Sequence, residues 1–252
     1  MWSAGNERRG LNVAEVYLSG TEVAVADGAG ALWRCEAAST AAAVDVLAER
    51  LNATSSKRVR VWLSAELCRP VRLPAVAGEL SRKERRRLAE IAAVAQSGLA
   101  PPCRVSIDPG EAAEEGVAVV VQESVLAEIE RGLLAAGRRP SSVKPWWTHV
   151  LEVAMRARPA LRALGVSEGK ATTILTGNGR HFSAARTVCP VESFEAGEAA
   201  FARSLVAGMI PEHDALAVRL DWAAEGDVAG QRAFATHDLV FGAWTLRQEG
   251  TP

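Results

Sequence analysis

The chain has 252 residues, 48% of them hydrophobic and 23% charged, and its formal net charge at pH 7 is -1. This length fits one large domain or two smaller lobes with a substantial core, and the composition is ordinary for a globular protein. A near-neutral charge gives no general attraction to nucleic acid or to an anionic membrane. The composition therefore argues against a polyanion-binding protein and leaves enzymes and protein-binding scaffolds open.

The four cysteines lie far apart in the sequence and form no C-x-x-C pair. Scattered cysteines are typical of a reducing compartment and argue against a zinc site or a disulfide framework. The first residues lack the apolar core of a signal peptide, and no apolar run approaches the roughly 20 residues that cross a bilayer. We therefore expect a soluble, cytoplasmic protein without direct membrane insertion.

The N-terminal part predicts a β-meander, with strands at residues 13–18, 22–26 and 31–35 separated by turns that contain glycine. Ser39 or Thr40 then suits the N-cap of a helix. Its apolar residues follow the spacing i, i+3, i+4, i+7 of one helix face: Val44, Leu47, Ala48 and Leu51. The next strand is expected where valine and leucine alternate with other residues over positions 58–63, with one face buried.

The following segment predicts a strand, a helix and a strand. The first strand is expected at residues 68–73, and Ser81 with Glu84 matches a capping box at the start of a helix. The expected apolar stripe of this helix contains Leu88, Ile91, Ala92, Ala95 and Leu99. Two prolines, Pro101 and Pro102, end it, and residues 103–107 suit the next strand.

The central stretch predicts a buried strand at residues 117–122 and a helix from a cap at Ser124 to Gly137, which suits the C′ position. Its inward residues are expected to be Leu126, Ile129 and Leu133. Residues 141–144 are short and extended, and Pro145 suits the first turn of another helix. The inner face of that helix is expected to hold Trp147, Val150, Leu151 and Ala154.

The C-terminal part predicts a hairpin from residue 172 to residue 188 around the turn Gly177-Asn178-Gly179. A helix is expected at residues 192–209, although a glycine inside it lowers the helix propensity. Alternating apolar residues predict a strand at residues 215–222, and residues 239–246 are the best candidate for a last strand.

The order strand, strand, strand, helix, strand, helix, strand, helix resembles the half-unit of the actin-like superfamily, which includes sugar kinases and heat-shock ATPases. The chain shows this order once to about Gly137, with residues 68–107 as an interpolated small lobe, and again, less completely, from Ala171. The resemblance implies an α/β, actin-like (ribonuclease H-like) fold with two lobes built from duplicated βββαβαβα half-units. Its expected lobes are residues 1–140, with a small subdomain inserted at about residues 66–110, and residues 141–252.

Three segments are similar to the cytoplasmic domain of type II secretion system protein L and to type IV pilus assembly protein M. They are VRLP at residues 71–74 before the basic helix, the stretch from Glu123 to Trp147, and the hairpin at residues 172–188. This resemblance implies a non-catalytic scaffold or adaptor that binds the cytoplasmic tail of an inner-membrane assembly protein, or a secretion ATPase. The protein would then reach the inner membrane through its partners, and a homodimer remains open.

The resemblance also implies where a nucleotide would bind, but the residues at those positions do not support such a site. Nucleotide-binding members of the superfamily carry an acidic residue and glycines at the first hairpin of each half, where backbone amides hold phosphate and the carboxylate holds hydrated metal. The corresponding turns here are taken as residues 18–21 and 175–179, and neither contains Asp. Asp27-Gly28 has the right residue types but suits an ordinary turn, and Gly226 and Gly230 are isolated. We therefore expect no cofactor, no metal and no catalytic residue, with an ATPase or small-molecule kinase of the same fold as the alternative.

One stretch of the capping-box helix is strongly basic, with Arg82, Lys83, Arg85, Arg86 and Arg87 in six positions. Its functional interpretation is a surface that contacts a partner or a phosphate group, and the alternative is a solvated helix start. Nucleic-acid binding is the remaining alternative, but such sites interleave aromatic residues and none lies nearby. These residues are therefore candidates for contact with a protein partner beside the favoured interpretation as a solvated helix start, and we expect no nucleic acid.

Two adjacent tryptophans, Trp146 and Trp147, cannot share one face of a helix. One is expected in the core, and the other is either a partly exposed anchor for a partner or, as the favoured alternative, a core or simple surface residue. The four histidines lie on different predicted elements without metal-ligand spacing. The one conceivable nucleophilic pair is Cys189 with His181, eight residues before it. Nothing in the sequence supplies an orienting acid or an oxyanion hole for this pair.

Overall fold

The computed structural model describes residues 13–26, 32–73, 80–107, 116–178, 182–221 and 243–246. The helices are α1 (Thr40–Asn52), α2 (Arg82–Ser97), α3 (Glu123–Ala135), α4 (Trp146–Ala157) and α5 (Phe194–Ala207). The strands of the first half and of the small subdomain are β1 (Val13–Leu18), β2 (Glu22–Ala26), β3 (Leu32–Glu36), β4 (Arg58–Leu63), β5 (Cys68–Leu73), β6 (Cys103–Ile107), β7 (Gly116–Gln122) and β8 (Arg139–Pro145). The strands of the second half are β9 (Ala163–Glu168), β10 (Ala171–Gly177), β11 (Phe182–Val188), β12 (Ala215–Asp221) and β13 (Ala243–Leu246).

The first sheet has the strand order β3-β2-β1-β4-β8. β1 is antiparallel to β2 and parallel to β4, and β4 is parallel to β8. Alternate residues such as Val16, Val59 and Val61 point to one face, where α1 and α3 cover them with Leu47 and Leu133. Since the side chains of a strand alternate between two faces, this single layer of helices buries half of the sheet.

The second sheet repeats this order as β11-β10-β9-β12-β13. Its first strand, β9, was not predicted, so the expected start of the second half at Ala171 was wrong. Every residue of β9 is buried, so the strand shows no alternation of apolar and polar residues. Gly165 interrupts its apolar residues because the ring of Phe201 on α5 would lie 2.9 Å from an added Cβ.

A third, smaller sheet has the order β5-β7-β6 and packs against α2. The predicted first half-unit ran to about Gly137 with only residues 68–107 inserted, so β7 was expected in the first sheet. This was wrong, because β7 is the middle strand of the small sheet and β8 takes the fifth position in the first sheet. The predicted division of the chain between residues 140 and 141 stays a prediction. It falls within β8, which pairs with β4 of the first sheet along its length.

The helix α4 lies between the first and second sheets and packs against both. Trp146 and Trp147 therefore have exposed fractions of only 0% and 4%, because opposite faces of the helix each meet a sheet. The interpretation of one tryptophan as a partly exposed anchor was wrong for this reason, and both tryptophans take the alternative core position. Trp62 of β4 is also buried, so the expectation of a single buried face for that strand holds only at its start.

The basic helix α2 presents a different face to the small sheet from the one predicted. Its buried residues are Ala89, Ala93 and Ser97, whereas Leu88 and Ile91 are 45% and 59% exposed. Both sets follow helical spacing, and the small side chains allow α2 to approach a sheet whose surface carries valine, leucine and isoleucine. The predicted apolar stripe was therefore wrong by about one residue around the helix.

Two of the predicted helix N-caps are present, and one is not. The side chains of Ser39 and Ser81 accept hydrogen bonds from the first turns of α1 and α2, and Ser81 forms the predicted capping box with Glu84. The predicted cap at Ser124 was wrong, since α3 begins at Glu123 and no described side chain caps it. Within the described residues, no helix is long and apolar enough to span a membrane.

A carboxylate between two hairpins and a groove beside the small sheet

The first two strands of each large sheet form a hairpin, and the turns of these two hairpins meet at Glu66. The backbone N–H of Gly20, in the β1–β2 turn, donates a hydrogen bond to Oε2 of Glu66 at 3.1 Å. The N–H of Lys170, in the β9–β10 turn, donates to Oε1 of the same carboxylate at 3.3 Å. One carboxylate therefore joins equivalent turns of the two halves.

The residues around Glu66 hold its side chain in this position. Glu66 follows β4 in a tight turn, in which the Ser64 hydroxyl accepts a hydrogen bond from the Glu66 N–H at 3.0 Å. Ser64 is itself tied to β1, because its N–H donates to the carbonyl of Leu18 at 2.9 Å. A Cβ at Gly20 would lie 2.6 Å from Oε2 of Glu66, so a larger residue there would displace the carboxylate from this position.

A second carboxyl group, Glu168, lies directly beside this turn. It is the last residue of β9 and is fully buried. Its Oε2 accepts hydrogen bonds from the Tyr17 hydroxyl at 3.2 Å and from the Ala65 N–H at 3.4 Å. Burial raises the pKa of Glu168 to about 8, and the nearby Glu66 adds to the rise while the two hydrogen bonds oppose it. Glu168 is therefore mainly protonated at pH 7.

This geometry corrects one part of the nucleotide-site prediction. The turn of the second half that corresponds to Ser19-Gly20 is Gly169-Lys170 between β9 and β10, whereas the turn named from the sequence follows β10. The corresponding turn does follow an acidic residue, Glu168, which sequence reasoning missed together with β9. This carboxyl is buried and accepts hydrogen bonds from the Tyr17 hydroxyl and the Ala65 N–H, so it faces the protein interior.

No group of three or more His, Cys, Asp or Glu side chains within the described ranges is placed to hold a metal ion. His149 packs between the rings of Trp62 and Trp146, at centroid distances of 4.9 and 5.2 Å, and burial lowers its pKa to about 4. Cys189 is half-buried, and its predicted partner His181 lies outside the described residues. The turn at Asp27-Gly28, Gly226, Gly230 and His237 also lie outside them.

A groove of about 630 Å³ separates the small sheet from the first sheet. Its walls are largely apolar, and its charged residues come from four different elements. The apolar walls include Leu63, Val119, Val121, Leu126, Ile129 and Val143, and the charged residues are Arg104, Glu130, Lys144 and Glu152. Leu126 and Val143 are only half-buried, so these apolar side chains remain accessible from the groove.

β8 forms one side of this groove and is the last strand of the first sheet, so no described strand pairs with its second edge. An edge strand presents backbone N–H and C=O groups that can pair with another extended chain. Prolines at positions 140 and 145 are compatible with an edge position, because proline lacks the N–H that a central strand needs. The groove thus combines apolar walls with a strand edge.

The basic residues of α2 lie at the surface, as far as their side chains are described. Lys83, Arg86 and Arg87 are exposed, Arg85 is half-buried, and Arg82 is the first residue of the helix. Arg86 pairs with Glu90 one turn later at 2.9 Å. The exposed Leu88 and Ile91 belong to the same helix, so basic and apolar side chains are both available on its outer surface.

Comparison with known proteins supports the fold through structures alone. No protein-family model matches the sequence, and no curated protein matches it. A PilM–PilN type IV pilus biogenesis complex superposes with a TM-score of 0.51 at 13% identity, over 79% of this chain and 74% of that chain. A Bacteroides thetaiotaomicron protein with an actin-like ATPase fold and unknown function gives a TM-score of 0.55 at 10% identity, over 80% of this chain and 79% of that chain.

The cytoplasmic domain of EpsL, an inner-membrane component of the type II secretion system of Vibrio cholerae, aligns at a TM-score of 0.45 and 14% identity, over 71% of each chain. The fold assignment rests on the first two structures and on the repeated strand order of the two large sheets. The chain therefore has an actin-like fold, which confirms the fold predicted from the order of its elements.

Proposed function

We propose that this chain is a non-catalytic, actin-like adaptor of a type IV pilus or type II secretion assembly machine, and that it binds an extended segment of an assembly protein in the groove beside β8. The groove is the observation that carries the proposal. It offers accessible apolar side chains, such as Leu126 and Val143, next to the edge of a sheet. Both features are what an extended peptide needs.

The chemistry of the groove indicates the kind of segment it would accept. A peptide that adds a strand gains affinity from main-chain hydrogen bonds, and pockets for its alternate side chains give specificity. The apolar walls suit two or three apolar side chains, while Arg104 and Lys144 suit an acidic residue and Glu130 and Glu152 a basic one. One structure of similar fold is a complex of PilM with PilN. By analogy, the partner is the cytoplasmic tail of an inner-membrane assembly protein.

Two observations favour an adaptor over an ATPase or kinase of the same fold. Glu66 fills the position between the two first hairpins with a carboxylate of the chain itself. The acidic residue of the second hairpin, Glu168, is buried and protonated near neutral pH. An actin-like enzyme needs this position for the phosphates and metal of its nucleotide, so both features reduce the case for catalysis.

We also propose that the basic residues of α2 contact the partner, or a second assembly protein such as the secretion ATPase. Lys83, Arg86 and Arg87 would accelerate association with an acidic surface, while the exposed Leu88 and Ile91 would provide apolar contact. Charge-steered association weakens as the salt concentration rises. Partner binding that weakens as the salt concentration rises would therefore indicate this basic surface, whereas binding that does not change with salt would indicate the apolar groove.

The groove is tested by measuring binding of synthetic cytoplasmic tails of pilus and secretion assembly proteins by isothermal titration calorimetry. Leu126→Glu places a charge in the groove and should weaken binding at least tenfold. The matched control is Leu134→Glu on the same helix, because Leu134 is 59% exposed and does not line the groove. This control should bind within about twofold of the unmodified chain, as is usual for surface positions.

Several outcomes would overturn the proposal. If Leu126→Glu and Leu134→Glu weaken binding equally, the groove is not the binding site. If no tail binds the unmodified chain, the adaptor role is refuted. A clear rise in melting temperature with Mg-ATP would favour the enzyme alternative instead, since a ligand that binds only the folded state stabilises it by mass action.

A further inference from the structure

A second pocket, of about 540 Å³, lies between β5 of the small sheet, the β10–β11 hairpin and α5. Three arginines from three elements line it, namely Arg72 of β5, Arg186 of β11 and Arg203 of α5. Its described lining includes no aspartate or glutamate, although the chain as a whole has 30 acidic residues against 29 lysines and arginines. This arginine pocket is therefore a local concentration of positive charge in a nearly neutral protein, and it attracts negatively charged groups.

Two of these arginines can bind a carboxylate of another molecule. Nη2 of Arg186 donates hydrogen bonds to the carbonyl of Ala200 at 3.1 Å and to the hydroxyl of Ser204 at 2.6 Å, which fix the position of its guanidinium group. Both bonds use the same nitrogen, so Nη1 and Nε keep their N–H groups for a further acceptor. Arg203 is exposed, and no acidic residue within the described ranges pairs with it. Guanidinium groups bind carboxylates through two parallel hydrogen bonds, which makes them strong and directional sites.

Exposed apolar side chains adjoin the arginine pocket at the end of α5. Val206 and Met209 have exposed fractions of 80% and 87%, the highest among the large hydrophobic residues described. They directly flank Ala207 and Gly208, which line the pocket. Arginine and methionine are enriched at protein interfaces, and large exposed apolar side chains beside polar ones are typical of surfaces that bind another protein. The end of α5 thus combines positive charge with accessible apolar surface.

Met209 occupies a backbone position that favours glycine. The N–H of Ile210 donates to the carbonyl of Leu205 at 2.9 Å, which closes the end of α5, and Met209 lies between them with a φ of +47°. This left-handed conformation at a helix end is usually taken by glycine, because a Cβ strains it. Neither the helix end nor the core accounts for a methionine here, whereas contact of its exposed side chain with a partner does.

We infer that the arginine pocket, together with Val206 and Met209, is a binding surface for a protein segment that carries acidic residues beside an apolar one. The acidic residues would pair with Arg186 and Arg203, and the apolar residue would pack on Val206 and Met209. A small anion would use the arginines alone and leave both apolar side chains in water, so the observations favour a protein segment. No residue of this surface lines the groove beside β8, so the inference stands whether or not that groove binds a peptide.

The main experiment selects peptides from a phage-displayed library of random dodecapeptides on the immobilised chain. The library is first depleted on Arg203→Glu, which removes every peptide that binds elsewhere, including in the groove beside β8. The peptides enriched on the unmodified chain should carry aspartate or glutamate next to leucine, isoleucine or phenylalanine. No enrichment, or enrichment of peptides without acidic residues, would overturn the inference.

Fluorescence anisotropy then measures the affinity of the most enriched peptide. Arg203→Glu should bind it at least tenfold more weakly, and the matched control Arg58→Glu should bind it within about twofold, because Arg58 is exposed on β4 and lines neither pocket. The affinity should fall severalfold between about 50 and 300 mM sodium chloride, since salt screens exposed charges. Equal weakening by the two charge reversals would refute the inference, because it would show a general attraction to positive charge.

If Arg203→Glu does not fold, Met209→Gly takes its place in the depletion step and in the affinity measurement. Glycine fits the left-handed backbone, so this variant should melt at a higher temperature than the unmodified chain, yet bind the enriched peptide at least about threefold more weakly. An unchanged affinity would contradict the inference. So would a concentration-dependent dimer of the unmodified chain that Met209→Gly abolishes in sedimentation velocity, because a second copy of the chain would then cover this surface.

Discussion

The pH dependence of stability should depend on Glu168. Its pKa is raised from 4.5 to about 8 by burial, so the folded chain keeps a proton that the unfolded chain releases over this range. A group with a raised folded-state pKa contributes stability that is fully present below the unfolded pKa and is lost as the pH rises through the folded pKa. The free energy of unfolding should therefore fall between pH 4.5 and pH 8 as far as Glu168 is concerned.

The useful window lies above pH 6.5, because His149 acts in the opposite direction below it. Burial lowers the pKa of His149 from 6.5 to about 4, so most of its contribution is lost as the pH falls through this range, and it changes by only about 0.4 kcal/mol above pH 6.5. Each pKa unit corresponds to about 1.4 kcal/mol. Between pH 6.5 and pH 7.5 Glu168 should cost about 1 kcal/mol of stability, which is roughly 2 to 4 °C in melting temperature for a chain of this size.

The assay is urea unfolding, followed by tryptophan fluorescence, at closely spaced pH values from 6.5 to 7.5. In Glu168→Gln the side chain is neutral at every pH, so its free energy of unfolding should be nearly flat over this window. The exposed control Glu49→Gln should retain the slope of the unmodified chain. Parallel curves for the unmodified chain and Glu168→Gln would refute the reasoning that burial of this carboxyl controls its protonation.

Two further predictions concern helix packing. Gly197→Ala raises helix propensity by about 1 kcal/mol, yet it should lower the free energy of unfolding by about 1 to 3 kcal/mol, because its Cβ would lie 2.2 Å from Oγ1 of Thr172. Urea unfolding measures this, and stabilisation would contradict the close packing of α5 on β10. On α2, Ile91→Gln should change stability by less than about 0.5 kcal/mol, whereas Ala93→Gln should cost more than about 2 kcal/mol by overpacking and burying an amide. The reverse ranking would favour the face predicted from the sequence.

Elements with a complete local signal could be predicted from the sequence. β4 has the predicted bounds, Arg58–Leu63, because its first residues alternate between apolar and charged side chains. The start of α2 was equally clear, since Ser81 and Glu84 satisfy two helix-start amides through side chains three residues apart. β9 gave no such signal, because both of its faces are buried and Gly165 interrupts its apolar residues.

The residues of the candidate site could not be predicted in the same way. Glu66 is separated from Gly20 by 46 positions and from Lys170 by 104, and its role exists only where the two turns meet. Nothing in its neighbourhood distinguishes it from other glutamates. The basic run on α2 was visible in the sequence, but the exposure of Leu88 and Ile91 depends on which face the small sheet accepts. Distant contacts of this kind need the fold before they can be seen.

The Glu66 carboxylate also has a consequence for partner binding in the groove. In an actin-like enzyme, a bound nucleotide contacts both halves, so the arrangement of the halves depends on the ligand. Here Glu66 makes equivalent contacts from within the chain, and α4 adds a large apolar contact between the two sheets through Trp146 and Trp147. β8 forms one side of the groove and runs directly into α4, since Pro145 ends the strand and Trp146 begins the helix. We therefore expect a partner segment to bind the groove equally well in the presence and absence of Mg-ATP.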